Sequence, residues 1–303
     1  MRVAVIDCGT NTVRLFVADA TPSGLAEVTR DLTFTRLGEG VDATGQLQPA
    51  ALTRTYAAVG HYAAEIAKLG VDKVRFVATS AARDATNREE FFAGVRERLG
   101  VTPEIITGAE EAELSFLGAL TGGPVWGSVL VMDIGGGSTE LIRGSAAGRV
   151  EAAESLDMGS VRVRERFLHH DPPLDSETTA ARAFIDGLLA GSPVAFDGVG
   201  TWVGVAGTTT SLSGMYLGLE TYDRAKVHNS VLPVADIEAL SERLLRLTVA
   251  ETCHAYPSLP PQRAEVIVAG ALICTAVARR VNRLMIVRET DILDGAAHRL
   301  VET

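Results

Sequence analysis

Cysteine is scarce in this chain of 303 residues. The three present, Cys8, Cys253 and Cys274, are odd in number, widely spaced and without a Cys-x-x-Cys pair. That argues against a disulfide framework and against a thiolate zinc site. Long apolar runs are also missing. The longest, Val266 to Ala278, is too short to span a bilayer. The amino-terminal MRVAVIDCGT meets an Asp at position 7, so no secretory apolar region fits there. The expectation is a cytoplasmic protein with no membrane partner. An excess of positive charge is absent too: the net charge is −10. Nucleic acid is therefore not an expected partner, because its backbone selects a basic face. Lysine is nearly absent, with 3 against 25 arginines. Cationic contacts to small anions are then planar and bidentate in type. Neither glycine-rich run is followed by Gly-Lys-Ser/Thr, which excludes a Walker phosphate loop.

What is present is a repeat. Hydrophobic residues make up 47% and charged residues 22%, an ordinary globular balance, and the length suits two domains. The periodicity predicts strands at Arg2–Ile6, Thr12–Ala20 and Leu25–Leu37, then a helix at Pro49–Leu69. A strand at Lys73–Thr79, a helix at Asn87–Leu99, a strand at Val101–Thr107 and a helix at Glu110–Leu120 follow. The pattern then restarts after Thr121-Gly122-Gly123-Pro124. Strands are predicted at Ser128–Met132, Thr139–Gly144 and Val150–Leu156, with helices at Gly159–Leu168 and Glu177–Leu189. A strand at Thr201–Ala206 and helices at Pro233–Thr248 and Pro261–Val281 come next. A strand at Arg283–Arg288 and a helix at Ile292–Leu300 complete the pattern. Asp7-Cys8-Gly9-Thr10-Asn11 and Asp133-Ile134-Gly135-Gly136-Gly137-Ser138 hold equivalent places, 126 residues apart (133 − 7). Each joins the first two strands of its half. This predicts two similar α/β domains, 1–122 and 123–303, with both turns facing one interdomain cleft.

A strand–turn–strand rich in Gly and hydroxyl residues exposes consecutive backbone N–H groups, a concavity suited to phosphate oxygens. An Asp at the head of such a turn repels phosphate unless a cation lies between them. Mg²⁺ meets that need, taking one or two carboxylates together with phosphate oxygens. Asp7 and Asp133 are the candidates, and Glu140 offers a further carboxylate.

These residues resemble the Ppx/GppA family of exopolyphosphatases and guanosine pentaphosphate phosphohydrolases. Asp7-Cys8-Gly9-Thr10-Asn11-Thr12-Val13-Arg14-Leu15 looks like its first phosphate motif, and Asp133 to Leu141 (DIGGGSTEL) like its second. Ala78 to Asn87, Ile106 to Ala112, Val205-Ala206-Gly207-Thr208, Val227-His228-Asn229 and Asp294-Gly295 resemble further landmarks. Position 8 departs from the family's bulkier aliphatic residue, and Thr10 and Thr12 stand where Ser is usual. The resemblance implies two duplicated ribonuclease H-like domains of the sugar kinase, heat-shock chaperone and actin superfamily. It implies Mg²⁺-dependent hydrolysis of a terminal phosphoanhydride, with Mn²⁺ as the alternative metal. The substrate implied is inorganic polyphosphate, with short or medium chains expected, or else guanosine pentaphosphate. By the same resemblance Glu111 is the catalytic base, chosen over Glu110 for its spacing to Asp133. Gly9, Thr10, Asn11, Arg14, Arg83, Gly135, Gly136, Gly137, Ser138, Gly207 and Thr208 are the implied phosphate-binding residues. Asp7, Asp133 and Glu140 are the implied metal ligands. The apolar C-terminal helices and the resemblance together suggest a homodimer.

Two other features carry alternatives. His169-His170-Asp171 matches the dipeptide of metal-dependent phosphohydrolases, but the remaining histidines lie at unrelated spacings, and Asp171-Pro172-Pro173 reads as a loop. Arg162, Arg164 and Arg166 are either a track for a long anion or a solvated helix face. A small-molecule kinase and a non-catalytic alarmone or polyphosphate sensor are the competing functions.

Overall fold

The computed structural model describes residues 1–302. Its elements in chain order begin with β1 (Arg2–Cys8), β2 (Thr12–Thr21), β3 (Gly24–Phe34), α1 (Val41–Thr44) and α2 (Pro49–Leu69). Then come β4 (Lys73–Ala78), α3 (Ser80–Asp84), α4 (Arg88–Leu99), β5 (Glu104–Ile105) and α5 (Gly108–Thr121). The pattern restarts with β6 (Ser128–Ile134), β7 (Thr139–Ser145), β8 (Val150–Leu156), α6 (Ser160–Phe167) and α7 (Asp175–Gly191). It continues through β9 (Thr201–Val205), α8 (Ala206–Tyr216), α9 (Arg224–Val227), β10 (Ser230–Leu232) and α10 (Val234–Leu244). The last elements are α11 (Val249–Ala255), α12 (Pro261–Val281), β11 (Met285–Val287) and α13 (Ile292–Glu302).

The first sheet has the order β3-β2-β1-β4-β5. β1, β2 and β3 form an antiparallel meander, and β4 and β5 run parallel to β1. The second sheet, β10-β11-β9-β6-β7-β8, repeats that order read from its other end, with β10 added at the edge. The duplication expected from the two Asp-Gly turns is thus a duplication of topology, the ribonuclease H-like arrangement.

β1 shows why its sequence is nearly all apolar. Val3 and Val5 enter one core cluster, with Leu114, Ile292 and Ala296, while Ala4, Ile6 and Cys8 enter another, with Leu52, Val59 and Phe91. A strand buried on both faces has no solvent side to alternate with. The second sheet packs Leu130, Met132 and Trp202 against Ile185, Ile267 and Ile273 of the flanking helices.

Two helices run over the ranges expected of them. α2 and α12 both begin with Pro in the first turn and end at a left-handed cap, Gly70 and Asn282 respectively. Elsewhere the structure departs from expectation. Ala206 to Tyr216 is a helix rather than the end of a strand and a loop. Its Thr, Ser and Gly content has low helix propensity. Thr209 Oγ1 donates to the Val205 carbonyl at 2.8 Å, a back-bond within the first turn. The helix expected at Pro233–Thr248 ends at Leu244, and α11 starts behind a Thr248–Glu251 capping box. β5 is only two residues long.

The chain divides into two compact units: Met1–Gly118 together with α13, and Ala119–Asp291. This redraws the expected domains. The boundary moves from 122/123 to 118/119, and the last helix joins the first unit rather than the second. The reason is burial: Ile292, Leu293, Ala296 and Ala297 complete the core formed by Val3, Val5, Phe16 and Leu114. An ion pair adds to it. Arg30 Nη2 lies 2.7 Å from Asp294 Oδ1, with both side chains nearly buried. The same guanidinium stacks on the Phe16 ring at 4.2 Å. Removing one partner leaves the other charge desolvated. Arg30→Met is expected to cost about 2–4 kcal/mol of unfolding free energy, read by urea denaturation. A loss under half that would show that the pair does not fasten α13.

Candidate functional site

The β1–β2 and β6–β7 turns are built alike. Gly9 N–H donates to the Thr12 carbonyl, and Gly135 N–H to the Ser138 carbonyl, both at 3.0 Å. These two amides close their own turns, so Gly9 and Gly135 shape the site rather than donate to a phosphate through N–H. The carbonyl oxygens are drawn backwards. Thr10 O accepts from Gly38 N–H, and Asn11 O from Thr35 and Arg36 N–H. In the second unit Gly135 O accepts from Ser160, Gly136 O from Val161 and Arg162, and Gly137 O from Gly159. In each half the donors come from the segment that follows the third strand. With its carbonyls turned back, a turn is left to present its donors on the other side.

The first turn has such donors waiting. Thr10 Oγ1 and Asn11 Nδ2 are buried, and neither has a hydrogen-bond partner. An orphaned buried donor costs free energy unless something accepts from it. An oxyanion fits that requirement. Ser138, in the second turn, is buried as well.

The carboxylates separate by environment. Asp7 sits opposite Arg14 in the β1–β2 ladder, and Arg14 Nη2 approaches its Oδ2 to 2.6 Å, with Nε at 3.1 Å. The fork expected to bind phosphate is therefore engaged with the Asp expected to bind metal, and each reduces the other's availability. In the second unit Asp133 and Glu140 are register partners across β6 and β7, and both are buried. Two acids directly opposite on antiparallel strands repel. Ser155 Oγ donates to Glu140 Oε1 at 2.7 Å and holds that carboxylate in place. This pair fits the one or two carboxylates that Mg²⁺ takes from a protein. Among the described residues no cluster of three or more His, Cys, Asp or Glu side chains could hold a metal. Asp133 and Glu140 face each other across the ladder, whereas Asp7 faces the Arg14 guanidinium.

The two glutamates of α5 also separate. Glu110 is half-exposed and bonds Arg75 at 2.8 Å, beside Glu104. Glu111 is buried, and Arg83 Nη1 lies 3.2 Å from its Oε2. Arg83 also donates from Nη1 to the Ile106 carbonyl. α3 and α5 thus deliver an arginine and a buried acid to one point.

At the start of α8, Ala206 has φ +65°, a strained conformation for an L residue. Gly207 follows in the first helical turn, not in a loop. A Cβ on Gly207 would fall 2.2 Å from Arg263 Nη2, so the absence of a side chain admits that guanidinium. Thr208 is turned away: its side chain packs on Gly270 of α12, in the helix–helix contact. The Thr208 hydroxyl is buried there without a hydrogen-bond partner, and the charged group beside Gly207 is Arg263. The sequence reading missed Arg263, whose only signal is a charge on the otherwise buried face of α12. The His169–His170 region holds structure instead: Glu177 accepts from the His169 and His170 backbones and from His170 Nδ1.

The chain matches the Ppx/GppA phosphatase family over residues 16–295. It is 43% identical to Exopolyphosphatase 2 of Mycobacterium tuberculosis, over 98% of this chain and 97% of that protein. Among solved structures, an exopolyphosphatase-like protein aligns with a TM-score of 0.94 and 37% identity, covering 99% and 100% of the two chains. The Aquifex aeolicus Ppx/GppA family member aligns at 0.85 with 31% identity, covering 100% and 98%.

Cys8, at the head of the first turn, is fully buried, and burial beside Asp7 pushes its thiol well above the usual range. Cys274 is pushed up to about 12 by burial. The thiolate is the reactive form. In the folded protein iodoacetamide is expected to label Cys253 and to spare Cys8 and Cys274, as read by peptide mass mapping. Rapid labelling at Cys8 would show that its thiol is accessible and reactive in spite of its burial.

Proposed function

Because the chain belongs to the Ppx/GppA phosphatase family, we propose that it is an exopolyphosphatase, releasing orthophosphate from the end of inorganic polyphosphate. The observation that carries this reading is the end-to-end similarity to Exopolyphosphatase 2, at 43% identity. The buried Glu111–Arg83 pair and the orphaned Thr10 and Asn11 donors supply chemistry consistent with it.

In the proposed reaction Glu111 accepts a proton from a water molecule. The water oxygen bonds to the terminal phosphorus as the bridging P–O bond breaks, and the shortened chain leaves. Phosphoryl transfer needs little covalent help and much positioning of charge. Thr10, Asn11, Gly136, Gly137 and Ser138 bind phosphate oxygens through hydroxyl, amide and backbone donors. Arg83 both orients Glu111 and offers positive charge to the anion. Arg263, seated on Gly207, adds a second guanidinium. Asp133 and Glu140 would hold Mg²⁺, which when bound neutralises phosphate charge.

Glu111→Gln keeps the shape and removes the base. Its expected effect is a fall in kcat of about 10²–10⁴-fold, whereas Glu110→Gln changes the rate by less than about threefold, in keeping with an exposed ion pair. Orthophosphate release is measured from short polyphosphate, long polyphosphate, guanosine pentaphosphate and ATP in parallel. Release chiefly from guanosine pentaphosphate would move the assignment to that substrate. Binding without release from any of the four would leave a sensor in place of an enzyme.

The metal proposal has its own test. Chelation is expected to abolish release. Glu140→Gln is expected to raise the Mg²⁺ concentration for half-activity by about tenfold or more, the range seen when a ligand's support is lost. An unchanged Mg²⁺ requirement would remove Glu140 from the site.

A further inference from the structure

The three carbonyl oxygens of Gly135, Gly136 and Gly137 each accept two hydrogen bonds. Gly135 O takes Ser160 N–H at 2.9 Å and Ser160 Oγ at 3.2 Å. Gly136 O takes the N–H groups of Val161 and Arg162, at 2.8 and 3.1 Å. Gly137 O takes Gly159 N–H at 3.0 Å and the side-chain Nε of Arg162 at 2.8 Å. A carbonyl has two lone pairs, so all three oxygens are saturated on the side away from the turn's open face. Fit as well as bonding fixes this contact. A Cβ on Gly159 would lie 2.2 Å from the Gly136 carbonyl carbon and oxygen, so only glycine lets α6 come this close. The first-unit turn is tied back by backbone donors from residues 35–38. In the second, an arginine side chain takes part directly.

Arg162 is the first of the Arg162, Arg164 and Arg166 series, read from sequence as either an anion track or a solvated face. It is neither, because its side chain is only 11% exposed, its Nε bonds the turn, and its Nη2 lies 3.9 Å from Asp157 Oδ1. We propose that Arg162 is a positioning residue for the terminal-phosphate turn, acting through Gly137. By holding the Gly137 carbonyl rearward it holds the next amide, Ser138 N–H, forward. Peptide planarity couples the two, since an oxygen and the following N–H point in opposite directions from one rigid unit. The part acted on is the donor set that meets charge developing on the transferring phosphoryl group. Misalignment there raises the barrier more than it weakens substrate binding. The inference rests on the exopolyphosphatase reading for its kinetic consequence, but not for its structural one.

The test compares Arg162→Met with Arg162→Lys, which keeps a long donor. Hydrogen exchange is followed at the amides of Gly159 and Ser160, both bonded within the tie, and of Gly135, which closes the turn. In Arg162→Met these amides are expected to exchange about tenfold or more faster, consistent with local opening, with the rest of the chain unchanged. For phosphate release, kcat is expected to fall about 10–100-fold, below the cost of deleting a donor outright, with KM changed less than about threefold. Arg162→Lys is expected to recover part of both effects. Exchange within about twofold of the parent protein in Arg162→Met, by the same local-opening criterion, would overturn the proposal. So would a loss seen in KM alone, or a Lys variant no better than Met. If Arg162→Met does not fold, exchange and kinetics of the Lys variant decide by the same signs. If the parent protein releases no phosphate, the functional reading fails, and exchange at the tie still decides the role of Arg162.

Discussion

A turn that offers its amide hydrogens to an anion has to dispose of its carbonyl oxygens elsewhere. That requirement organises both halves of this protein. In each, the turn between the first two strands is backed by the segment leaving the third strand, which donates to its carbonyls. The meander of three antiparallel strands exists at the right length to bring that segment around. β3 ends at Phe34 and the tie begins at Thr35; β8 ends at Leu156 and the tie begins at Gly159. The duplicated topology and the duplicated turn are therefore one constraint, met twice.

The two copies have diverged in what they add. The first turn carries side-chain donors, Thr10 and Asn11, and its Asp7 is matched by Arg14. The second carries glycines, saturated carbonyls and an Asp133–Glu140 pair without a cross-strand arginine in register. A turn neutralised by its own guanidinium and a turn with two facing acids make different demands on a ligand. The proposed metal is assigned to the second turn for that reason. The division of labour proposed for the reaction follows from this difference, with Glu111 and Arg83 placed by α5 and α3 as the proton-handling pair.

Close approach is bought with small residues. Gly159 admits α6 to the second turn, and Gly207 admits Arg263 to the start of α8. In both cases the arriving group is an arginine or the helix that carries one. With 25 Arg and 3 Lys, the chain makes its internal contacts to carbonyls and carboxylates with planar forks, whose donors point in fixed directions. Arg162 on Gly137, Arg14 on Asp7 and Arg30 on Asp294 are all of this kind.

Much of this was legible in the sequence. Apolar runs marked the buried strands, Pro and Gly or Asn bounded α2 and α12, and the spacing of two Asp-Gly turns disclosed the duplication. The Glu110–Glu111 pair could be found by resemblance alone. These signals are local: a backbone's preference and a strand's burial are written in the residues themselves. Other features were decided by tertiary structure. α8 is a helix in spite of its composition because α12 packs against it, with Thr208 seated on Gly270. α13 belongs to the first unit because Ile292, Leu293 and Ala296 fill a core built by β1 and β2. Glu111 is set apart from Glu110 by which arginine reaches each. Arg162 and Arg263 are placed by contacts distant along the chain, with the Gly137 carbonyl and with Gly207, and no local pattern records which side chain will fill a space that folding creates.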